Sequence, residues 1–219
     1  MKVILTGATG MVGEGVLRTC LADPLVEAVL SVSRKPLSME HPKLSSLIVP
    51  DLADVSDQED LLRGYDACFF CAGVSSVGMK EDAYTAVTCE LTLSFARSLL
   101  RINPGMYFTY VSGAGTDSSE KGRIMWARVK GRTENTLSRM PFKAAYHFRP
   151  GVILPYPGQQ NWKGLYLFIG RLMKVFSPKS VLSVESIGKA MIHAVSRNEP
   201  GRVLEIKDIR ALAEAKPHP

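Results

Sequence analysis

Short apolar runs alternate with longer amphipathic segments along most of the chain. The apolar runs are rich in branched and aromatic side chains, which favours strands. Strands are predicted at residues 2–6, 26–32, 44–49, 66–71, 106–111, 142–148 and 202–206. The segments between them repeat apolar residues at helical spacing. Helices are predicted at residues 14–22, 56–64, 82–100, 120–139, 162–176, 185–196 and 209–216.

This alternation predicts an α/β fold with a doubly wound parallel sheet of six or seven strands. Helices then cover both faces of the sheet, which gives a three-layer αβα arrangement. The chain of 219 residues has no internal repeat and no linker, so a single domain is expected.

Three glycines follow the first predicted strand directly and open the first helix, in the spacing Gly7-x-x-Gly10-x-x-Gly13. Gly7 permits a tight turn, Gly10 lets a pyrophosphate approach the backbone, and Gly13 allows close packing of helix on strand. The helix N-terminus adds N–H groups and a positive dipole end. In this place the pattern favours dinucleotide binding over a purely structural turn.

The residues after the second predicted strand bear on the choice between NAD and NADP. An Asp or Glu there would accept the ribose 2′-OH of NAD, but this chain has Arg34, with Ser33 before it and Lys35 after it. A guanidinium suits a 2′-phosphate through paired, charge-assisted hydrogen bonds. The sequence therefore favours NADP over NAD, with a solvated loop arginine as the alternative.

Further motifs resemble the short-chain dehydrogenase/reductase superfamily. They are Thr6-Gly-Ala-Thr-Gly-Met-Val-Gly13, Asp51-Leu52, Cys71-Ala-Gly73, Val111-Ser112 and Phe148-Arg-Pro-Gly-Val152. From residue 2 to about 206 the chain is similar to atypical members of that superfamily, in particular the Tat-interacting-protein group and bacterial nucleoside-diphosphate-sugar epimerase-like proteins. The resemblance implies one NAD(P)-binding Rossmann domain over residues 1–219, with a small substrate-side region at about 151–219.

The resemblance also implies a set of cofactor contacts, with Asp51 and Leu52 at the adenine and Pro150–Val152 beside the nicotinamide. The implied contacts are Gly7, Thr9, Gly10, Met11, Val12, Gly13, Ser33, Arg34, Lys35, Asp51, Leu52, Cys71, Ala72, Gly73, Lys130, Pro150, Gly151 and Val152.

The superfamily's catalytic motif is Tyr-x-x-x-Lys with an upstream Ser, and this chain reads Trp126-Ala-Arg-Val-Lys130 with Ser112 upstream. The resemblance implies catalytic positions for Ser112, Lys130 and Trp126. In that chemistry the tyrosine exchanges a proton with the substrate oxygen, while the lysine lowers the tyrosine pKa and holds the ribose. An indole N–H only donates, so Trp126 is not a general acid of the usual kind.

Four interpretations of Trp126 stay open. It orients a carbonyl while water or another group supplies the proton, or the chain binds NADP without turnover. Alternatively another residue supplies the proton, although a strand fixes the directions of Tyr107 and Tyr110 and neither is expected to reach. The fourth interpretation, that Lys130 is not the motif lysine, fits least, because the run after it matches the family helix.

Together these features predict an NAD(P)-dependent oxidoreductase or epimerase-like protein for a small carbonyl or sugar-nucleotide substrate. The alternative is a catalytically silent NADP(H)-binding sensor or protein-interaction module. The net charge is +6, from 27 basic and 21 acidic residues, and the bases are scattered, so nucleic-acid binding is not expected.

The remaining expectations concern location, metals and partners. No apolar stretch is long enough to cross a membrane and the first residues lack the apolar core of a signal peptide, so a cytoplasmic protein with four free thiols is expected. The Cys68-x-x-Cys71 pair reads as part of a strand, and no metal site is predicted. The apolar stretch 165–176 leaves open a pocket wall, membrane-surface docking or a homodimer contact, with simple packing over the sheet preferred.

Overall fold

Seven parallel strands form the central sheet of the protein in the order β3-β2-β1-β4-β5-β6-β9. The structure is a computed structural model and describes residues 1–156, 159 and 180–215. In chain order the strands are β1 (Lys2–Thr6), β2 (Ala28–Ser33), β3 (Leu44–Ile48), β4 (Ala67–Phe70), β5 (Tyr107–Val111), β6 (Ala144–Arg149), β7 (Val152–Leu154), β8 (Val181–Ser183) and β9 (Val203–Glu205).

The helices lie between these strands. They are α1 (Met11–Ala22), a 3₁₀ helix (Ser56–Leu62), α2 (Glu81–Thr85), a π-helical turn (Ala86–Glu90), α3 (Leu91–Ile102), α4 (Met125–Arg139), α5 (Val184–Ser196) and α6 (Ile206–Glu214). The helix predicted at residues 162–176 lies outside the described residues.

The strand order reverses between β1 and β4, which are hydrogen-bonded neighbours. β1 leads outward to β2 and β3 on one side, and β4 leads to β5, β6 and β9 on the other. The predicted doubly wound parallel sheet is therefore confirmed. In such sheets the loops that diverge at the reversal leave a crevice at the carboxyl edge, where ligands bind.

Two apolar layers cover the sheet, because alternate residues of a strand point to opposite faces. On one face Val3 and Leu5 pack with α1, α5 and α6, as shown by Val16, Ile187 and Ile209. On the other face, Ile4 and Phe108 pack with Phe95 of α3 and Val129 of α4. Both clusters consist of buried side chains, so the predicted αβα layering is present.

Besides shifts of a few residues at the ends of elements and a 3₁₀ helix in place of the helix predicted at residues 56–64, the structure departs from the predicted elements in three places. The helix predicted at residues 120–139 begins only at Met125, because Glu120 has a left-handed φ of 61° that a helix does not allow. The helix predicted at 82–100 is interrupted by the π-helical turn Ala86–Glu90 and ends at Ile102. A short parallel pair, β7 with β8, was not predicted, since three residues carry too little pattern.

Candidate functional site

A cleft of about 1300 Å³ lies at the carboxyl edge of the sheet, around the reversal in strand order. Its walls come from the loops after β1, β4, β5 and β6 and from α4. The predicted site residues that line it are Gly10, Met11, Val12, Cys71, Ala72, Gly73, Ser112, Trp126, Lys130, Pro150, Gly151 and Val152. The others do not line it; they are Gly7, Thr9, Gly13, Ser33, Arg34, Lys35, Asp51 and Leu52.

The glycine loop is built by two very close backbone approaches. Gly7 has a φ of 74°, and a Cβ there would lie 2.6 Å from the Ala72 nitrogen at the end of β4. A Cβ at Gly13 would lie 2.0 Å from the Gly7 carbonyl oxygen, so Gly13 packs on the loop itself rather than on the strand. Any side chain at either position would force the loop apart.

Gly10 differs from the other two glycines because its open side faces the cleft. A Cβ there would meet only the Gly7 oxygen, at 3.3 Å. Gly10 is also the N-cap of α1 and supplies no side chain to the N–H groups of the first turn, where Met11 and Val12 line the cleft. These N–H groups and the helix dipole fit a pyrophosphate, which is the anchor that a dinucleotide requires.

The residues predicted to read the ribose and adenine lie beyond this cleft but at the same edge of the sheet. Arg34 follows β2 and is exposed, and it forms no ion pair with any described residue. The Ser33 hydroxyl donates to the Lys35 carbonyl at 2.7 Å, which fixes this turn. After β3, Asp51 is exposed and Leu52 is buried. The arginine is thus accessible to a ligand that extends from the glycine loop toward β2.

Ser112 lines the cleft, but its hydroxyl proton is directed inward. Its Oγ donates to Glu134 Oε1 at 2.5 Å and lies 3.2 Å from the Phe148 carbonyl oxygen. A hydroxyl has a single proton to donate, so in this arrangement Ser112 offers lone pairs to a ligand. Sequence reasoning missed Glu134, although its place four residues after Lys130 puts both on one helical face.

Glu134 belongs to a buried ion pair with Arg149. The Glu134 residue is 2% exposed, and it accepts from Arg149 Nε at 3.1 Å and from Nη2 at 2.5 Å. The remaining Arg149 donors reach Ser118 Oγ at 2.6 Å and Glu205 Oε1 at 3.1 Å. Hydrogen bonding to Glu134 raises the pKa of Arg149 further above its usual value. The network joins α4, β6, β9 and the loop after β5.

Lys130 is held one helical turn before Glu134. Its Nζ donates to the Ser112 carbonyl oxygen at 2.5 Å. Burial lowers the pKa of Lys130 to about 8, against the opposing attraction of Glu134. The ammonium group therefore lies at the cleft wall, with the Val111 carbonyl at 3.5 Å as a second, longer acceptor and a remaining donor available to a ligand.

Trp126 lines the same cleft as Lys130, one turn earlier on α4. Its ring lies against the glycines after β5: a Cβ at Gly113 or Gly115 would be 3.8 Å from ring atoms of Trp126. Among the described residues, the indole Nε1 has no hydrogen-bond acceptor. The two residues thus share one helical face and one cleft, as their spacing predicts.

The tyrosines of β5 point in opposite directions. Tyr107 faces away from the cleft, and its hydroxyl lies 3.5 Å from Asn198 Oδ1. Tyr110 belongs to the wall of the cleft, but the residue is only 2% exposed and its hydroxyl oxygen is buried. Tyr84 of α2 and Thr88 of the π-helical turn are also among the residues that line the cleft, and no local motif in the sequence predicts either.

The cysteines and acidic side chains form no metal centre in the described part of the chain. Cys20, Cys68, Cys71 and Cys89 are free thiols, and burial raises the pKa of Cys71 to about 12, so it remains protonated near neutral pH. None of the helices within the described ranges has the length and apolarity needed to cross a bilayer.

Comparisons with known proteins agree with this geometry. The family model described as "NAD dependent epimerase/dehydratase family" matches residues 3–135. Protein HTATIP2 of Rattus norvegicus is 25% identical over 88% of this chain and 80% of its own length. The protein named fmp52-1, mitochondrial, of Aspergillus terreus is 31% identical over 69% of this chain and 66% of its own length.

Solved structures with low sequence identity share the fold. The structure described as MoeE5 in complex with UDP-glucose and NAD superposes with a TM-score of 0.69 at 15% identity, covering 97% of this chain and 81% of that one.

The buried lysine predicts a specific pH dependence of stability. The pKa of Lys130 falls from 10.5 to about 8 on folding. Between about pH 8 and pH 10.5 the unfolded chain holds a proton that the folded chain has released. The free-energy cost of burying the charged ammonium is fully present below about pH 8, and it is lost as the pH rises toward 10.5. Each pKa unit corresponds to about 1.4 kcal/mol.

Urea unfolding of the wild type and of Lys130→Met at about pH 7 and about pH 10 measures this effect. The wild type should gain free energy of unfolding relative to the variant at the higher pH, whereas the exposed Lys121→Met should show no such change. A difference in free energy of unfolding between the wild type and Lys130→Met that does not change with pH would contradict the burial of a charged Lys130.

The buried ion pair predicts a large loss in free energy of unfolding when one partner is removed. Glu134→Gln leaves the buried Arg149 guanidinium with only the half-exposed Glu205 as countercharge, which should lower the free energy of unfolding by an amount at the lower end of roughly 3–5 kcal/mol. Glu185→Gln, in the exposed pair with Lys189 at 2.7 Å, is the matched control and should cost less than about 1 kcal/mol. Equal costs for the two variants in urea unfolding would show that the buried pair has no special role.

Proposed function

Because the chain belongs to the NAD dependent epimerase/dehydratase family, we propose that it is an NADP(H)-dependent oxidoreductase or epimerase-like enzyme acting on a small carbonyl or sugar-nucleotide substrate. The observation that carries this proposal is one cleft that is lined both by the N-terminus of α1 and by Trp126 and Lys130 of α4. An anion anchor and a lysine donor in one cleft suit the two ends of a phosphate–ribose–nicotinamide unit.

The residues present fit a dinucleotide, as the close approaches of Gly7 and Gly13 and the open side of Gly10 indicate. The first-turn N–H groups of α1 would hold the pyrophosphate, and Lys130 would donate to ribose hydroxyls. Pro150–Val152 would form the wall beside the nicotinamide. A bound nicotinamide would supply the hydride transfer of an oxidation or reduction.

Trp126 stands where the superfamily has its tyrosine and limits the chemistry. Its indole can donate a hydrogen bond to a substrate oxygen and stack on a flat ring, but it cannot relay a proton. General acid–base assistance is typically worth ~10²–10⁴-fold in rate, so slow turnover is expected where the cofactor is well placed.

The second candidate is a catalytically silent NADP(H)-binding sensor or interaction module. Two features support it: the residue four before Lys130 is Trp126 rather than a tyrosine, and the Ser112 proton is engaged by Glu134 at 2.5 Å. In this alternative the cleft binds the cofactor tightly and reduces nothing.

The same proposal includes a small-molecule partner, a cytoplasmic location and no nucleic-acid or membrane partner. It leaves a homodimer open. The four free thiols fit a reducing compartment. A reducing environment is common to the cytoplasm and the mitochondrial matrix, and the Aspergillus terreus relative is named mitochondrial. Fractionation of cells that express the protein distinguishes the two locations.

The choice of NADP over NAD depends on Arg34. Arg34→Ala should weaken NADPH binding by roughly 1.5–3 kcal/mol and leave NADH binding unchanged, because only NADPH carries the 2′-phosphate. Isothermal titration of both cofactors with both proteins measures this, and Arg63→Ala, remote from β2 in sequence, serves as the charge-matched control. If the wild type binds NADH as tightly as NADPH, the argument from the 2′-phosphate fails.

The Trp126→Tyr variant tests the proposed chemistry. NADPH consumption against aldehydes, ketones and quinones should be slow in the wild type and faster in Trp126→Tyr, because the phenol restores a proton donor beside Lys130. Loss of this turnover in Lys130→Ala would support an enzyme. Tight NADPH binding without turnover in either protein would support the sensor. High wild-type activity that Trp126→Tyr leaves unchanged would assign the proton transfer to another residue.

A further inference from the structure

Reduction of a carbonyl requires a group that can lose and regain a proton, and few residues of the cleft carry one. Among the described residues that line it, the side chains that ionise are Cys71, Tyr84, Tyr110 and Lys130. Tyr84 and Tyr110 are each 2% exposed, and the Tyr110 hydroxyl oxygen is buried, so neither phenol is open to a ligand. Cys71 and Lys130 are partly exposed and are therefore the two candidates.

The other polar side chains around Lys130 are poor proton donors. Burial raises the pKa of Cys71 to about 12, so its thiol keeps the proton near neutral pH. The Ser112 hydroxyl donates its proton to Glu134 at 2.5 Å, and the indole of Trp126 does not ionise in water. Within the described part of the cleft, Lys130 is thus the group left to exchange a proton.

The hydrogen bonds of Lys130 leave one proton of its ammonium group for the cleft. Nζ carries three protons, of which one goes to the Ser112 carbonyl oxygen at 2.5 Å and another to the Val111 carbonyl oxygen at 3.5 Å. The Ser112 segment is itself fixed, because its backbone N–H donates to the Phe148 carbonyl oxygen at 2.9 Å. When the third proton leaves, the neutral amine keeps an N–H for each carbonyl. Lys130 can therefore change charge without losing the bonds that position it.

The longer of these bonds leaves room for a cofactor contact. A separation of 3.5 Å is at the limit of a hydrogen bond, so the N–H near Val111 can turn to a ribose hydroxyl while Nζ stays bonded to Ser112. The ribose contact and the proton transfer then use different N–H groups of Lys130.

We propose that Lys130 donates the proton to the carbonyl oxygen of the substrate, which is the role of the tyrosine in the superfamily motif. This inference deepens the proposed function and rests on it, because the carbonyl belongs to the compound that the enzyme reduces. It makes Lys130 a catalytic residue in addition to a cofactor contact.

The step balances with the reduced nicotinamide as the reductant. The carbonyl carbon accepts a hydride, which brings two electrons, and the π electron pair of the C=O bond moves to the oxygen. That oxygen forms an O–H bond as the N–H bond of Lys130 breaks. The products are an alcohol, the oxidised nicotinamide and a neutral amine, which regains its proton from water.

The charges around Lys130 suit this transfer. Burial lowers the pKa of its ammonium group from 10.5 to about 8, while Glu134 on the same helix opposes the shift and is itself paired with Arg149 of β6. The groups that share the cleft from β4, β5 and α2 stay uncharged near neutral pH; they are Cys71, Tyr110 and Tyr84. A general acid is most effective when its pKa lies near the working pH. Lys130 is thus charged at neutral pH and releases its proton more readily than an exposed lysine.

Lys130→Arg separates holding a cofactor from giving up a proton. Arginine keeps the charge and the N–H donors, but its guanidinium does not deprotonate. With NADPH and 4-nitrobenzaldehyde as the probe, kcat should fall by at least ~10²-fold, whereas calorimetry should still detect NADPH binding. Lys121→Arg, at an exposed position of the loop before α4, is the matched control and should keep the wild-type kcat. If Lys130→Arg does not fold, Lys130→Gln supplies the same test with a neutral donor.

The pH dependence provides a signature that a purely structural lysine lacks. The wild-type kcat for reduction should be level below about pH 8 and fall about tenfold per pH unit above it. Oxidation of 4-nitrobenzyl alcohol with NADP⁺ should show the opposite dependence, because the lysine must then be neutral to accept the proton.

Carbon NMR of lysine-labelled full-length protein with NADP⁺ present gives a readout that needs no turnover. The Cε signal of Lys130, identified by its absence in Lys130→Arg, should titrate with the midpoint of the two rate profiles. A different midpoint, or a kcat that Lys130→Arg retains, would overturn the role of Lys130 and leave the proposed function intact. Absent NADPH binding to the wild type would refute the proposed function, and NADPH binding without turnover would support the sensor and refute both.

Discussion

The buried ion pair between Arg149 and Glu134 is the interaction on which one wall of the cleft depends. Removing two charges from water is costly, and such a pair is stable only when its remaining donors and acceptors are satisfied. Here both carboxylate oxygens of Glu134 accept from Arg149, and the other donors of Arg149 reach Ser118 and Glu205. Four separate segments of chain are thereby fixed to one another, and the cleft takes its shape from them.

The position of Lys130 follows from the same pair. Glu134 fixes the Ser112 hydroxyl, the Ser112 carbonyl accepts from Lys130, and Lys130 and Glu134 lie one turn apart on α4. The positions of α4, of the end of β5 and of the Lys130 side chain therefore depend on one another. A residue that does not line the cleft thus contributes to the position of a lysine that does.

The sequence predicted the sheet and the glycine loop well because both are encoded locally. Strand and helix periods are readable over a few residues, and Gly7, Gly10 and Gly13 fall between β1 and α1. The contacts of the site are harder to predict from the sequence, since Ser112 and Glu134 are 22 residues apart and Arg149 lies 15 residues after Glu134. Spacing shows that Lys130 and Glu134 share a helical face, but not that this face meets a buried arginine from β6.

If Trp126 stands in place of a catalytic tyrosine, as proposed above, two roles that the motif normally combines are separated. Holding a ribose requires N–H donors, and a lysine has them whether it is charged or neutral, so a Lys130 pKa of about 8 does not remove that capacity. Moving a proton requires a group that can lose and regain one, and an indole does not. Under the proposed function, the cleft would therefore keep the residues that bind and position a cofactor and would lack the usual proton carrier.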